Sequence, residues 1–91
     1  MSAIMPYLYI LQSEKNARYY IGSTNDLARR LSEHNSGKTK SLKNLLPLRL
    51  AFYKNYELLV DARAMERKLK RFKNRNIIDR IVKDQNITMG L

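Results

Sequence analysis

The sequence predicts an α+β fold: a three-stranded antiparallel sheet flanked by helices, in the order β-β-α-β-α-α. Three observations predict it. The chain has 91 residues, so a single core must serve every element. Its apolar residues change period along the chain, from strand-like runs before Gly22 and around Phe52 to helical spacing after Leu27 and after Ala62. The first two strand-like runs are separated by one short polar stretch, which suits a hairpin rather than a crossover.

Each element follows from its own residues. Tyr7-Leu8-Tyr9-Ile10-Leu11, just after Pro6, is rich in strand formers. Ser13 to Ala17 is polar and contains Asn16, as a turn requires. Arg18-Tyr19-Tyr20-Ile21-Gly22 makes the second strand. With the hairpin centred between Glu14 and Lys15, Tyr9 lies opposite Tyr20 and the two rings share a face. Ser23-Thr24-Asn25 offers N-caps and Asp26 suits a first helical turn. That helix runs from Asp26 to Asn35 and stops before Gly37, with Arg30 and His34 as i,i+4 neighbours at the edge of its apolar stripe. Ser36 to Leu46 is a basic loop without period. Pro47 opens a strand over Leu48 to Tyr53, where Leu48, Leu50 and Phe52 alternate with Arg49, Ala51 and Tyr53. Asp61 is the best N-cap for a helix over Ala62 to Lys73. Its stripe is Met65, Leu69 and Phe72, with Glu66 on the stripe's edge and Arg63, Arg67, Lys70 and Arg71 on a basic face. Asn74 to Asn76 breaks the pattern, and Ile77, Ile78, Ile81 and Val82 support a short third helix. The domain is expected to span residues 1–84, with 85–91 as a flexible tail.

Composition narrows the function. There is no cysteine and one histidine, which excludes a disulfide scaffold, a cysteine-based zinc site and thiol chemistry. No apolar run approaches the ~20 residues of a membrane span. Met1 to Met5 lacks the basic and apolar regions of a secretion signal. The expectation is a soluble cytoplasmic domain with no membrane partner. Lys and Arg number 18 against 8 Asp and Glu, a net charge of +10. Residues 61–75 hold seven of those cations against Asp61 and Glu66, a net +5. Lys38, Lys40 and Lys43 form a second cluster with no acid. Two such clusters point to a polyanion as partner. Lys38, Lys40, Lys43, Arg63, Arg67 and Lys70 are the candidate nucleic-acid-binding residues.

The candidate chemistry rests on five residues. Most of the six tyrosines read as strand packing, and a stacking surface for unpaired bases stays open. Tyr9 and Tyr20 differ because the hairpin brings them together, near Arg30 and His34. Glu66, alone within the basic helix, either forms an i,i+4 pair with Lys70 or offers a hard oxygen to a divalent cation. Together these groups suit phosphodiester hydrolysis. A metal ion stabilises charge on the phosphate, an arginine pairs with the oxygens of the pentavalent phosphate, and a base takes a proton from water. Histidine can be that base. So can a tyrosine, if a neighbour lowers its pKa from ~10.

At these residues the chain resembles the GIY-YIG nuclease family, in particular small stand-alone members and the N-terminal domain of the repair excinuclease. The second motif is intact as Tyr20-Ile21-Gly22. The first is Tyr7-Leu8-Tyr9, with Tyr7 in the glycine's place. Asp26 to Lys38 is similar to the following helix and loop and puts the family's arginine on Arg30 and its tyrosine-or-histidine position on His34. Ala62 to Lys70 looks like the later helix and puts the metal-binding glutamate on Glu66. Ser23 stands where relatives often carry lysine. The resemblance covers about Met5 to Lys83 and implies a metal-dependent endonuclease using Mg²⁺ or Mn²⁺. Nucleic acid would be its substrate, with DNA the expected form, and sequence specificity would be low. Tyr20 or His34 would assist deprotonation of water, Tyr9 would orient or share that proton, and Arg30 would stabilise the phosphate. Repair-associated relatives work inside larger assemblies, which leaves room for a protein partner that supplies targeting. A non-catalytic nucleic-acid binding module of the same fold is the alternative.

Overall fold

The computed structural model describes residues 6–37, 40–72 and 74–87, with the side chains of residues 40–42 outside the description. The elements are β1 (Tyr7–Ser13), β2 (Tyr19–Thr24), α1 (Leu27–Asn35), a 3₁₀ segment (Lys40–Leu45), β3 (Leu48–Asn55), α2 (Leu59–Phe72) and α3 (Arg75–Asp84). The strands form one antiparallel sheet in the order β2-β1-β3. This is the predicted α+β layout.

β1 is central, so both of its faces are covered. Leu8 and Ile10 pack on one side with Ile21, Phe52, Leu69, Ile78 and Ile81. Tyr9 and Leu11 pack on the other with Leu48, Leu27 and Leu31. The sheet therefore lies between α1 on one face and α2 with α3 on the other. Leu8, Ile10 and Leu11 are fully enclosed. Burial of each such side chain stabilises the fold by ~1.5–3 kcal/mol.

The hairpin register differs from the expected one. Tyr9 pairs with Gly22, and Tyr20 pairs with Leu11. The turn explains the shift. Ser13 remains in the strand, its amide donating to the Arg18 carbonyl at 2.8 Å. Its hydroxyl accepts from the amides of Lys15 at 3.1 Å and Asn16 at 3.2 Å. Ala17 takes the left-handed conformation with φ 65° that closes the loop. The hairpin is thus centred between Lys15 and Asn16, one residue later than expected. Moving the centre by one residue moves each pairing by two, so Tyr9 and Tyr20 keep a common face.

Expectations at the ends of the three helices and in the loop before β3 also change. Asp26 is the N-cap of α1 rather than its first residue, accepting from the Arg29 amide at 3.1 Å. α2 starts at Leu59, before Asp61, with the amides of Asp61 and Ala62 directed to the Leu58 carbonyl at 3.1 and 3.3 Å. Asp61 lies inside the first turn, where a carboxylate opposes the positive end of the helix. The stretch expected as an irregular loop contains the 3₁₀ segment. Asn74 caps α3 by accepting from the Asn76 amide at 2.9 Å.

Two side-chain amides fasten the layers. Asn35, at the end of α1, donates to the Leu48 carbonyl at 2.9 Å and accepts from its amide at 2.8 Å. Gln85 donates to the Ala51 carbonyl at 2.9 Å, and Ile87 packs against the core. The rest of the expected tail, residues 88–91, lies outside the described residues.

Candidate active site

β2 is an edge strand, and the candidate site wraps around it. Alternation points Tyr20 and Gly22 toward α1 and Ser23 toward α2. On the α1 side, Tyr9 Oη and His34 Nε2 are 3.1 Å apart. The Tyr20 ring meets the His34 ring edge-on, with centroids 5.2 Å apart at 65°. His34 is the buried residue of α1 at 3% exposure, and Tyr9 is also 3% exposed. His34 therefore lies within the buried stripe, deeper than the edge position expected. Helical spacing places it four and three residues from Arg30 and Leu31.

Gly22 makes this arrangement possible. A Cβ at that position would run into Oη and Cζ of Tyr9. The phenol lies across the glycine backbone on its way to His34. The glycine of the Tyr20-Ile21-Gly22 motif thus serves close approach, which only a residue without a side chain permits.

Arg30 stands one turn before His34. Its Nε is buried and has no hydrogen-bond partner among the described residues, and its Nη1 is 3.7 Å from Glu33 Oε1. Burial pushes the Tyr9 phenol well above its ordinary pKa, and Tyr20 pushes it further. Arg30 opposes this, and the carboxylates of Glu66 and Glu33 add to the rise. The condition set for a tyrosine base is thus not met at Tyr9: burial outweighs the guanidinium. His34 moves the other way. Burial lowers its pKa, Arg30 lowers it further, and Glu33 partly offsets both. Near neutral pH the pair is a neutral phenol beside a neutral imidazole. With the imidazole proton on Nδ1, Tyr9 Oη donates to Nε2.

Glu66 lies on the other side of β2. Ser23 Oγ donates to its Oε1 at 2.5 Å, and Lys70 Nζ donates to its Oε2 at 2.6 Å. Lys70 Nζ is also 5.9 Å from the Tyr20 ring centroid. The ion pair with Lys70, one of the two roles open for Glu66, is therefore formed. Among the described residues no cluster of three or more His, Asp or Glu side chains is suited to a metal. Glu66 is a single carboxylate at such a site. A donor set of this kind fits Mg²⁺ or Mn²⁺ only where waters and substrate phosphate complete the shell, as is usual for Mg²⁺. The Lys70 side chain is 51% exposed, so it has room to release Oε2.

The five catalytic candidates are thus neighbours. Tyr9, Tyr20 and His34 touch, Arg30 acts on both Tyr9 and His34, and Glu66 acts on Tyr9 from across the strand. Arg63, Arg67 and Lys70 are exposed on α2, and Lys43 is exposed in the 3₁₀ segment. Lys38 and the Lys40 side chain lie outside the described residues. Ser23, as a partner of Glu66, goes beyond what the sequence suggests. Its odd spacing from Tyr20 is the available signal, since it turns Ser23 toward the basic helix.

Comparison with known proteins gives the family. The model of the GIY-YIG catalytic domain matches residues 5–79. The chain belongs to the GIY-YIG family. That family is one of nucleases. A UPF0213 protein of Streptococcus pneumoniae serotype 4 is 40% identical over 68 residues, covering 74% of this chain and 68% of the relative. A UPF0213 protein of Listeria welshimeri is 31% identical over 71 residues, covering 77% and 78%. No solved structure matches the chain significantly. In GIY-YIG terms, the intact second motif supplies both Tyr20 and the glycine that Tyr9 crosses.

Proposed function

We propose that the protein is a metal-dependent endonuclease that hydrolyses nucleic-acid phosphodiesters, with DNA the expected substrate. The observation that carries this reading is the enclosed His34, kept neutral by burial and by Arg30, and in contact with two phenols. A neutral imidazole with a lowered pKa is a general base already deprotonated at neutral pH. Tyr9 does not ionise on its own, its pKa being raised, but its hydroxyl points at the Nε2 lone pair: Oη would take the proton from water while passing its own to His34, and the same bond fixes the orientation of the imidazole. Tyr20 lines the other side of the imidazole. Arg30 places a cation beside it, where it would bind the scissile phosphate and stabilise charge growing on its oxygens. Glu66 would hold Mg²⁺ or Mn²⁺, which when bound stabilises negative charge on the phosphate and leaving oxygen. Lys43, Arg63 and Arg67, together with Lys38 and Lys40, would bind the backbone.

These basic contacts supply charge rather than base-edge readout, which supports low sequence specificity. No described helix is long and apolar enough to cross a membrane. A cytoplasmic setting, and a protein partner that supplies targeting, belong to the same proposal. The alternative is a binding module without turnover, and it draws on the engagement of both Glu66 oxygens by Ser23 and Lys70.

Nicking of supercoiled plasmid, and cleavage of single-stranded, branched and RNA substrates, distinguishes the two. The nuclease reading expects cleavage with Mg²⁺ or Mn²⁺, its loss with chelator, and its loss in Glu66→Gln. Salt-dependent binding with no cleavage of any substrate in either metal would establish the binding module instead.

A further inference from the structure

On the α2–α3 side of β2 the structure contains an open cleft of about 380 Å³. Its floor is apolar, formed by Ile21, Leu69 and Ile78, and its rim carries Arg18, Lys70 and Arg75. Tyr19 also lines it. The Arg75 guanidinium lies over the Tyr19 ring at 4.8 Å from the centroid. Tyr19 Oη donates to Asp79 Oδ1 at 2.6 Å, and Asp79 Oδ2 is 3.7 Å from Arg75 Nε. Tyr19 and Arg75 thus form a stacked pair held in place by one carboxylate.

The cations around this cleft are not all committed. Lys70 is paired with Glu66 and Arg75 faces Asp79. Arg18 has no carboxylate within ion-pair distance among the described residues. An apolar floor beside a planar stacked pair, under a rim of cations, suits a ligand that is flat at one end and anionic at the other. A nucleobase with its phosphate has that form. The volume is at the small end of ligand clefts, room for one nucleotide and too little for a duplex.

Lys70 fixes where that nucleotide would belong. Its Nζ touches Glu66 and lies near the Tyr20 ring, while its side chain also lines the cleft. The cleft lies on the same side of β2 as Glu66, and it meets the candidate active site at this one lysine.

We propose that this cleft is a subsite for a single unstacked nucleotide of the substrate strand. The base would lie against Ile21, Leu69 and the Tyr19–Arg75 pair, and the phosphate would face Arg18 and Arg75. The inference rests on the nucleic-acid reading of the neighbouring site, although its test does not require turnover. A strand able to lend one unpaired nucleotide is then held better than a continuous duplex of equal length.

Binding to fluorescent oligonucleotides, measured by anisotropy in chelator at fixed salt, tests this. The probes are a short oligothymidine, a duplex of the same length, and that duplex with one unpaired nucleotide. The wild-type chain is expected to prefer the first and third over the second. Arg18→Glu and Arg75→Ala are each expected to weaken those two probes about five- to tenfold, while leaving the duplex within about twofold. Those figures correspond to the loss of one charge-assisted contact. Arg18 is exposed beside the hairpin turn, so its variant tests the cleft even if Arg75→Ala disturbs α3. Circular dichroism confirms that each variant is folded. Equal weakening of all three probes by both variants, or no effect of either, overturns the proposal even if plasmid nicking is intact. A selective effect without any cleavage supports the subsite and removes the nuclease reading.

Discussion

The two sides of β2 solve different problems. Toward α1, Tyr9 and His34 are each 3% exposed and bonded to one another. Toward α2, Glu66 is held by a hydroxyl and by a half-exposed lysine, among the exposed cations of the helix. One side is dry and close-packed; the other is wet, charged and open to rearrangement. The contrast fits the tasks proposed for each. A base that must stay neutral benefits from burial, whereas groups that meet phosphate or a hydrated cation need water and freedom to exchange partners.

The largest expected effect is therefore on the dry side. His34→Ala removes the proposed base and should lower the nicking rate by about 10²–10⁴-fold. It also leaves the buried Tyr9 hydroxyl without its partner, at a cost of about 1–3 kcal/mol. Tyr9→Phe separates the two effects, since it keeps the imidazole and should lose less activity than His34→Ala. Single-turnover nicking beside thermal unfolding measures both. A His34→Ala chain that nicks at the wild-type rate would remove His34 from catalysis.

Gly22→Ala tests the packing itself. The added methyl meets the Tyr9 ring, and overpacking of this kind costs about 1–3 kcal/mol. Because the ring must move, its bond to His34 should lengthen or break. The expected result is a lower melting temperature together with lost nicking. A chain as stable as wild type would show that the ring has slack the structure does not display.

Much of this site is legible in the sequence, and the limits have physical causes. Alternation along two strands places Tyr9 and Tyr20 on one face, and that survives a two-residue error in pairing. The pairing depends on Ser13 capping the turn and on Ala17 adopting a left-handed conformation, which no propensity of alanine suggests. Helical spacing joins Arg30 to His34 and puts Glu66 at an edge. It cannot show that His34 is buried, since depth depends on how closely α1 approaches the sheet. The start of α2 escapes the sequence because Leu58 has no capping side chain to mark it. Ser23 reads as a possible cap, and its bond to Glu66 spans 43 residues, beyond the reach of any local pattern.

That bond gives the smaller prediction for the wet side. Ser23→Ala removes one of the two donors that orient Glu66. Metal affinity, read by isothermal titration with Mn²⁺, is expected to fall a few-fold, about the effect of one hydrogen bond to a partly exposed carboxylate. Ser23→Thr keeps the hydroxyl and should restore most of the loss. If Ser23→Ala binds Mn²⁺ more tightly, the hydroxyl competes with the ion rather than positioning its ligand.

The smallest effect is on stability against pH, and it belongs again to the dry side. Burial holds the folded His34 pKa below its ordinary 6.5. The unfolded chain therefore takes up a proton as pH falls through 6.5, while the folded chain resists until its own lower pKa. Over that window the unfolded state binds more protons, so stability falls as pH drops, and it is fully present above 6.5. Tyr9 acts with the opposite sign far away, since its raised pKa favours the folded state until pH rises above its ordinary value of ~10. Between the two limits both groups are neutral and neither contributes a slope. His34 is the sole histidine, and carboxylates titrate mainly below pH 5, so a slope between pH 5 and 7 is assignable to this residue. Urea unfolding across that range should show it in the wild type and not in His34→Asn. Stability that rises as pH falls from 7 to 5 would mean the imidazole is charged in the folded protein, and the two sides of β2 would then differ less than their packing implies.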